Sequence, residues 1–148
     1  MVKILVTRQI PDRFIEELEQ FGDVKMWKEA FEPMPREQFL KELEDVDACF
    51  ITLSEKIDAT CLEHAKHVKV IANMAVGFDN IDVKLAQEKG IVVTNTPQVL
   101  TETTAELGFT LMLTVARRIV EAEKYVQDGE WKSWDHTYYL VRMFMVQL

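Results

Sequence analysis

Five short apolar runs, rich in β-branched residues, punctuate the first ninety-six positions, and the segments between them carry apolar residues at helical spacing. Lys3 to Thr7 (KILVT), Val24 to Trp27, Ala48 to Leu53, Val68 to Met74 and Ile91 to Thr96 each read as a strand of a few residues. Such alternation leaves few architectures open. Strands joined by helical crossovers pair in parallel, and right-handed connections place the helices on both faces of the sheet. The sequence therefore predicts an α/β fold, a flavodoxin-like open parallel sheet in the order 2-1-3-4-5, extended by a long C-terminal helix.

The intervening segments carry their own start and stop signals. Pro11 occupies a first helical position, with Phe14, Leu18 and Phe21 following at helical spacing before Gly22. Beyond Pro33 and Pro35, the residues Phe39, Leu40, Leu43 and Val46 mark a second amphipathic helix. Asp58 caps a short helix through Ala65, and Asp82 caps another that Gly90 closes. The last helix starts at Thr101 or Thr103, where Thr103 and Glu106 have capping-box spacing, and continues to Asp128 with Gly129 as its stop. It would span roughly 40 Å at the standard helical rise. With no repeat or Gly/Ser linker before Asn95, residues 1–100 form one expected domain, 101–129 an interdomain or dimerisation helix, and 130–148 a tail.

A chain of 148 residues with 48% hydrophobic composition supports one real core. A formal charge of -8 without any basic run argues against nucleic-acid or anionic-membrane partners. Cys49 and Cys61 are too few and too far apart for a disulfide framework. Met1 to Ile10 lacks the basic start and apolar core of a signal peptide, and the apolar stretch Leu107 to Ala116 is too short to span a bilayer. These features predict a soluble, cytoplasmic protein.

Ligands of open parallel sheets gather beyond the carboxyl ends of the strands, where Asn73-Met74-Ala75-Val76-Gly77 follows the strongest strand. A positive φ at Gly77 would admit close approach, and the N–H groups of Ala75, Val76 and Gly77 could converge on a carboxylate as an anion-binding nest; an ordinary tight turn is the alternative. Asp79 and Asn80 read as turn formers and Asp82 as a cap, not as catalytic groups. Cys61, His64 and His67 form C-x2-H-x2-H, a spacing that drifts round a helix without an obvious fourth ligand, so no metal site is expected. Arg117 and Arg118 read as mid-helix residues in surface or interdomain pairs.

The pairing of VIANMAVGFDNID, beginning at Val70, with GIVVTNTPQVLTETTAELGFTLMLTVARR, beginning at Gly90, resembles the substrate-binding domain of the D-2-hydroxyacid dehydrogenases, nearest to their glyoxylate and hydroxypyruvate reductases. The likeness runs from ILVTRQIP at Ile4 through EAEKYVQDGEWKSW at Glu121. It implies that main-chain donors in Met74, Ala75, Val76 and Gly77 hold the carboxylate of a small 2-oxo acid. It implies too that Thr104 lies near the nicotinamide of NAD or NADP, although its hydroxyl could equally serve the helix N-terminus. A homodimer is implied, with the segment carrying Trp131 and Trp134 packing near the twofold partner.

The same likeness shows what to expect of activity. The glycines stand at 22, 77, 90, 108 and 129, so no G-x-G-x-x-G is present, and the family's catalytic arginine, glutamate and histidine find no matching positions. His136 is not a legitimate substitute. The chain alone is expected to be inactive, to contain no catalytic residue and to bind no cofactor. Its final residues, Met143 to Leu148, read as the product of a frame change, since loss of one base from a coding strand for DVYGST yields MFMVQL; a deliberately delimited domain is the alternative. Two other readings compete with a dehydrogenase piece: a non-enzymatic flavodoxin-like module and an oligomerisation module built on the apolar stretch Leu107 to Ala116. Thr7-Arg8 after the first strand and Thr52-Leu53-Ser54 after the third oppose a signalling receiver, which needs acidic residues there.

Overall fold

In a computed structural model that describes residues 1–134, the chain divides into two units, Met1–Val99 and Leu100–Leu148. The first holds β1 (Val2–Val6), α1 (Asp12–Glu19), β2 (Gly22–Met26), α2 (Arg36–Leu43), β3 (Ala48–Ile51), α3 (Ala59–His64), β4 (Val70–Asn73), α4 (Val83–Glu88) and β5 (Val92–Thr94). All pairings are parallel and the sheet order is β2-β1-β3-β4-β5, as the alternation predicts.

Every strand is shorter than, or displaced from, its apolar run. The ladder of β4 begins at Val70 although Val68 is buried, and β5 begins at Val92 although Ile91 is buried, because burial extends past the last ladder bond. Leu5, Val6, Ile51 and Ile71 are almost wholly buried in the sheet, and Phe39, Leu43, Cys61, Leu62 and Ala86 from α2, α3 and α4 are buried with them. Each large side chain buried in this way contributes about 1.5–3 kcal/mol relative to exposure. In contrast, α1 buries no residue completely, and a largely apolar groove of about 440 Å³ lies beside it, lined by Phe14, Leu18, Phe21, Phe50 and Met74 among others.

Gly22 acts as more than the helix stop expected of it. It opens β2 opposite Val2, and a Cβ at this position would lie 2.1 Å from the Val2 carbonyl oxygen. Close strand approach, not an unusual φ, excludes a side chain there. The Asp58 cap forms as expected, accepting from the Cys61 N–H at 3.1 Å, and both of its carboxylate oxygens also accept from Arg36 Nη2, at 2.7 and 2.8 Å. The Cys61 N–H and then the Arg36 guanidinium hold the Asp58 carboxyl below its ordinary pKa.

In the second unit the expected single helix is two, α5 (Thr101–Ala116) and α6 (Ile119–Gln127). Arg118 breaks it with a left-handed φ of 50°, and Arg117 and Arg118 therefore stand at a helix junction, not mid-helix. No glycine or proline marks the break; a left-handed non-glycine residue costs about 1–2 kcal/mol, partly offset here because the Arg118 carbonyl accepts from Ala122 and its guanidinium pairs with Glu121. The capping box is not formed: α5 starts from Leu100 without a side-chain cap. Gly129 does end α6, at φ 68°, with its N–H on Val126 and the Glu130 N–H on Tyr125, a Schellman arrangement. Trp131 and Trp134 stack edge to face with centroids 5.4 Å apart. His136 and Met143 to Leu148 lie outside the described residues.

Two outcomes follow for folding experiments. Gly22→Ala should destabilise the chain by roughly 1–3 kcal/mol in chemical denaturation, since the new methyl meets backbone that cannot move aside. Because its folded-state pKa is depressed, Asp58 contributes stability above the unfolded carboxylate value and loses it as pH falls through the folded one. Asp58→Ala should thus cost about 1 kcal/mol at neutral pH, with the gap to the parent closing as the pH falls through and below the ordinary aspartate range.

Candidate functional site

Because β1, β3, β4 and β5 run parallel, their carboxyl ends bring Thr7-Arg8, Thr52 to Glu55, Met74 to Gly77 and Asn95-Thr96 to one edge of the sheet. The Met74 N–H donates to the Ile51 carbonyl at 2.8 Å, extending the β3–β4 ladder by one bond. The chain then turns sharply, with the Ala75 N–H donating to the Asn73 carbonyl at 2.8 Å.

The next carbonyls are all claimed by the protein itself. Ala75 O accepts from the Thr96 N–H at 2.9 Å, Val76 O from Asn95 Nδ2 at 2.8 Å, and Gly77 O from Asn73 Nδ2 at 3.0 Å. In a planar trans peptide the N–H points opposite to the carbonyl that precedes it. The Val76 and Gly77 N–H groups therefore face away from these anchors, and neither has an acceptor among the described residues. Two main-chain donors are thus presented at the exposed end of β4. The Ala75 N–H, expected as another, is engaged by Asn73.

Gly77 departs from its expected conformation, for its φ is not positive. The turn is made by the Asn73 and Asn95 anchors, which relieves Gly77 of any left-handed duty. A Cβ there would meet only Asp79 Oδ2, at 3.8 Å, so neither backbone strain nor packing within the chain requires glycine. What glycine leaves is open space beside two donors.

Asn73, Asn80 and Asn95 are the residues whose importance was not read from the sequence. Asn73 is 2% exposed, and its Nδ2 also reaches Asn80 Oδ1 at 3.3 Å. Arg8, at the end of β1, donates from Nη2 to Ser54 Oγ at 3.3 Å, and its buried Nη1 has no partner among the described residues. Asparagines flanking a glycine turn at strand ends are the one available signal, since their short amides bond to nearby main chain.

Other candidates stand elsewhere. Asp82 caps α4 by accepting from the Leu85 N–H at 3.0 Å. Cys61 Sγ donates to the Lys56 carbonyl and His64 Nδ1 pairs with Glu44, and no cluster of three or more potential metal ligands occurs among the described residues. Burial, followed by the neighbouring Cys61, pushes the Cys49 thiol up to about 12, well away from thiolate chemistry. Thr104 belongs to the second unit, in the first turn of α5, where its N–H bonds to Leu100 O at 2.9 Å and no side chain caps the helix. No helix among the described residues is long and apolar enough to cross a membrane.

Residues 4–136 match the family model described as D-isomer specific 2-hydroxyacid dehydrogenase, catalytic domain. Glyoxylate reductase of Thermococcus litoralis is 48% identical over 131 residues, covering 88% of this chain but only 39% of the relative. Glyoxylate reductase of Pyrococcus furiosus is likewise 48% identical, over 130 residues and 38% of its length. Among solved structures, the TT0316 protein from Thermus thermophilus superposes with a TM-score of 0.87 at 40% identity, over 95% of this chain and 45% of that one. An NADPH-dependent glyoxylate/hydroxypyruvate reductase from Sinorhizobium meliloti, in complex with NADP and malonate, gives 0.69 at 27% identity, over 95% of this chain and 43% of that one.

The open space at Gly77 generates a test that separates fold from site. Gly77→Ala should leave stability within about 0.5 kcal/mol of the parent, as for surface changes that touch nothing. The same variant should weaken binding of a small carboxylate severalfold by isothermal titration, because a methyl group would occupy the approach to the donors.

Proposed function

The chain belongs to the D-isomer-specific 2-hydroxyacid dehydrogenase family, and from that premise we propose that it is the substrate-binding portion of an NAD(P)-dependent enzyme that reduces glyoxylate or hydroxypyruvate. The observation that supports this reading most directly is the pair of unengaged N–H groups at Val76 and Gly77, whose neighbouring carbonyls are anchored by Thr96, Asn95 and Asn73. Preorganised main-chain donors bind a carboxylate without side-chain reorganisation. Met74 and Ala75 form the turn beneath them.

In the complete enzyme a nicotinamide supplies or accepts hydride at the substrate carbonyl. The β1–α1 connection does not fit that cofactor's pyrophosphate: it runs Thr7-Arg8-Gln9-Ile10-Pro11, without glycine, and Pro11 at the start of α1 brings no N–H. The share of the reaction assigned to this chain is to bind and orient the 2-oxo acid by its carboxylate. A homodimer accords with α5, which buries no residue and exposes Leu107, Phe109, Leu111 and Val115.

The chain spans 39% of the length of the Thermococcus litoralis relative, and by this reading it is catalytically silent by itself. The purified 148-residue protein should oxidise neither NADH nor NADPH with glyoxylate or hydroxypyruvate, while glyoxylate should shift the Val76 and Gly77 amide resonances in a ¹⁵N-labelled sample. Turnover by the chain alone would overturn the assigned silence. Unmoved amides at both positions would overturn the assigned site.

A further inference from the structure

A carboxylate has two oxygens with about four lone-pair sites, more than two donors can fill. The structure supplies a third at the other end of the turn. Gly77 O accepts from Asn73 Nδ2 at 3.0 Å, so peptide planarity aims the following N–H, that of Phe78, away from Asn73. Like its two predecessors, the Phe78 N–H has no acceptor among the described residues.

The direction of that peptide is set from a distance. Asn80 Oδ1 accepts from Asn73 Nδ2 at 3.3 Å, while Asn80 Nδ2 donates to Thr52 O at 3.2 Å and Glu55 O at 3.0 Å. The turn that receives those donations is itself held, for Glu55, 4% exposed, accepts from the Thr52 N–H at 2.8 Å and from Thr52 Oγ1 at 3.1 Å. Main-chain bonds clamp Asn80 as well: its carbonyl accepts from the Ile57 N–H at 2.8 Å, and the Asp82 N–H donates to Ile57 O at 2.9 Å. Asn80 thus does more than form a turn. Its amide joins the β3–α3 connection to Asn73, which holds the Gly77 peptide.

Building on the carboxylate-binding reading above, we infer that the cradle consists of the Val76, Gly77 and Phe78 N–H groups, and that Asn80 is the positioning residue that aims the Phe78 donor through Asn73. Three successive main-chain donors without partners among the described residues match the acceptor capacity of one carboxylate. Asn80 touches no ligand in this arrangement. Its effect falls on one end of the cradle, because the Val76 donor is fixed independently by Thr96 through the Ala75 carbonyl.

The test is a glyoxylate titration of the ¹⁵N-labelled 148-residue chain, with Asn80→Ala and Asn80→Asp beside the parent. In the parent, the Val76, Gly77 and Phe78 amides should shift with one common dissociation constant, and the Asn73 side-chain amide should move with them, since its acceptor peptide is polarised when Phe78 binds. Asn80→Ala should abolish the Phe78 response, spare that of Val76 and raise the dissociation constant about fivefold, the equivalent of one ordinary hydrogen bond. Asn80→Asp keeps an acceptor for Asn73 but replaces the donor to the Thr52 and Glu55 carbonyls with a carboxylate oxygen that they repel, so it should weaken the Phe78 response as Asn80→Ala does. A full Phe78 response in Asn80→Asp would show that the bridge to the β3–α3 connection aims nothing. Parent shifts at Val76 and Gly77 without Phe78 would overturn this inference while leaving the carboxylate site intact; silence at all three would overturn both. Equal losses at Val76 and Phe78 in Asn80→Ala, or an Asn73 amide that stays still in the parent, would remove Asn80 from the positioning role.

Discussion

The parallel pairing of β3 with β4 is the constraint on which the rest of this molecule depends. It registers Ile51 against Asn73 and passes one further bond to Met74, so the turn after β4 begins from a fixed place beside the turn after β3. Burial of Ile51 and Ile71 makes that register costly to change, because a shift by one residue would turn core side chains to the opposite face. The hydrogen bonds of Asn73 and Asn80 are consequences of this alignment, and the pairing of β4 with β5 brings Asn95 to Val76 in the same way. Each is a short side chain that reaches a carbonyl only because the ladder has already brought it within range.

Much of the first unit was legible from residue chemistry alone. β-branched runs separated by helical spacing fix five strands and their crossover connections, and Asp58 and Asp82 cap α3 and α4 where their positions predict. Strand limits were less legible, since apolar character reports burial and Val68 and Ile91 are buried beyond the ladders. The second unit shows the harder failure. A continuous helical pattern from Thr101 to Asp128 hides a left-handed residue at Arg118, where no glycine or proline signals the change.

At the candidate site, the segment was legible and its construction was not. The position of Gly77 after a strong strand pointed to main-chain donors, but a positive φ was the wrong mechanism for presenting them. The turn is shaped by side-chain amides that bind successive carbonyls from outside the segment, one of them delivered by Asn95 beyond β5. That information is tertiary. A local reading of Asn80 as a turn former could not have contained its bonds to Thr52 and Glu55, which lie on another connection.

The anchoring of Val76, Gly77 and their neighbours through main-chain carbonyls has a consequence for how such a protein changes over time. The donors at Val76 and Gly77 belong to the backbone, and the exposed side chains of Met74, Val76 and Phe78 surround them without supplying the hydrogen bonds. On the proposed carboxylate-binding reading, replacing those side chains would reshape the walls around a bound molecule and leave its attachment point chemically unaltered. Diversification of what fits and retention of what grips are thereby assigned to different atoms of the same short segment, so a descendant could drift toward a bulkier or more polar molecule without first losing its hold.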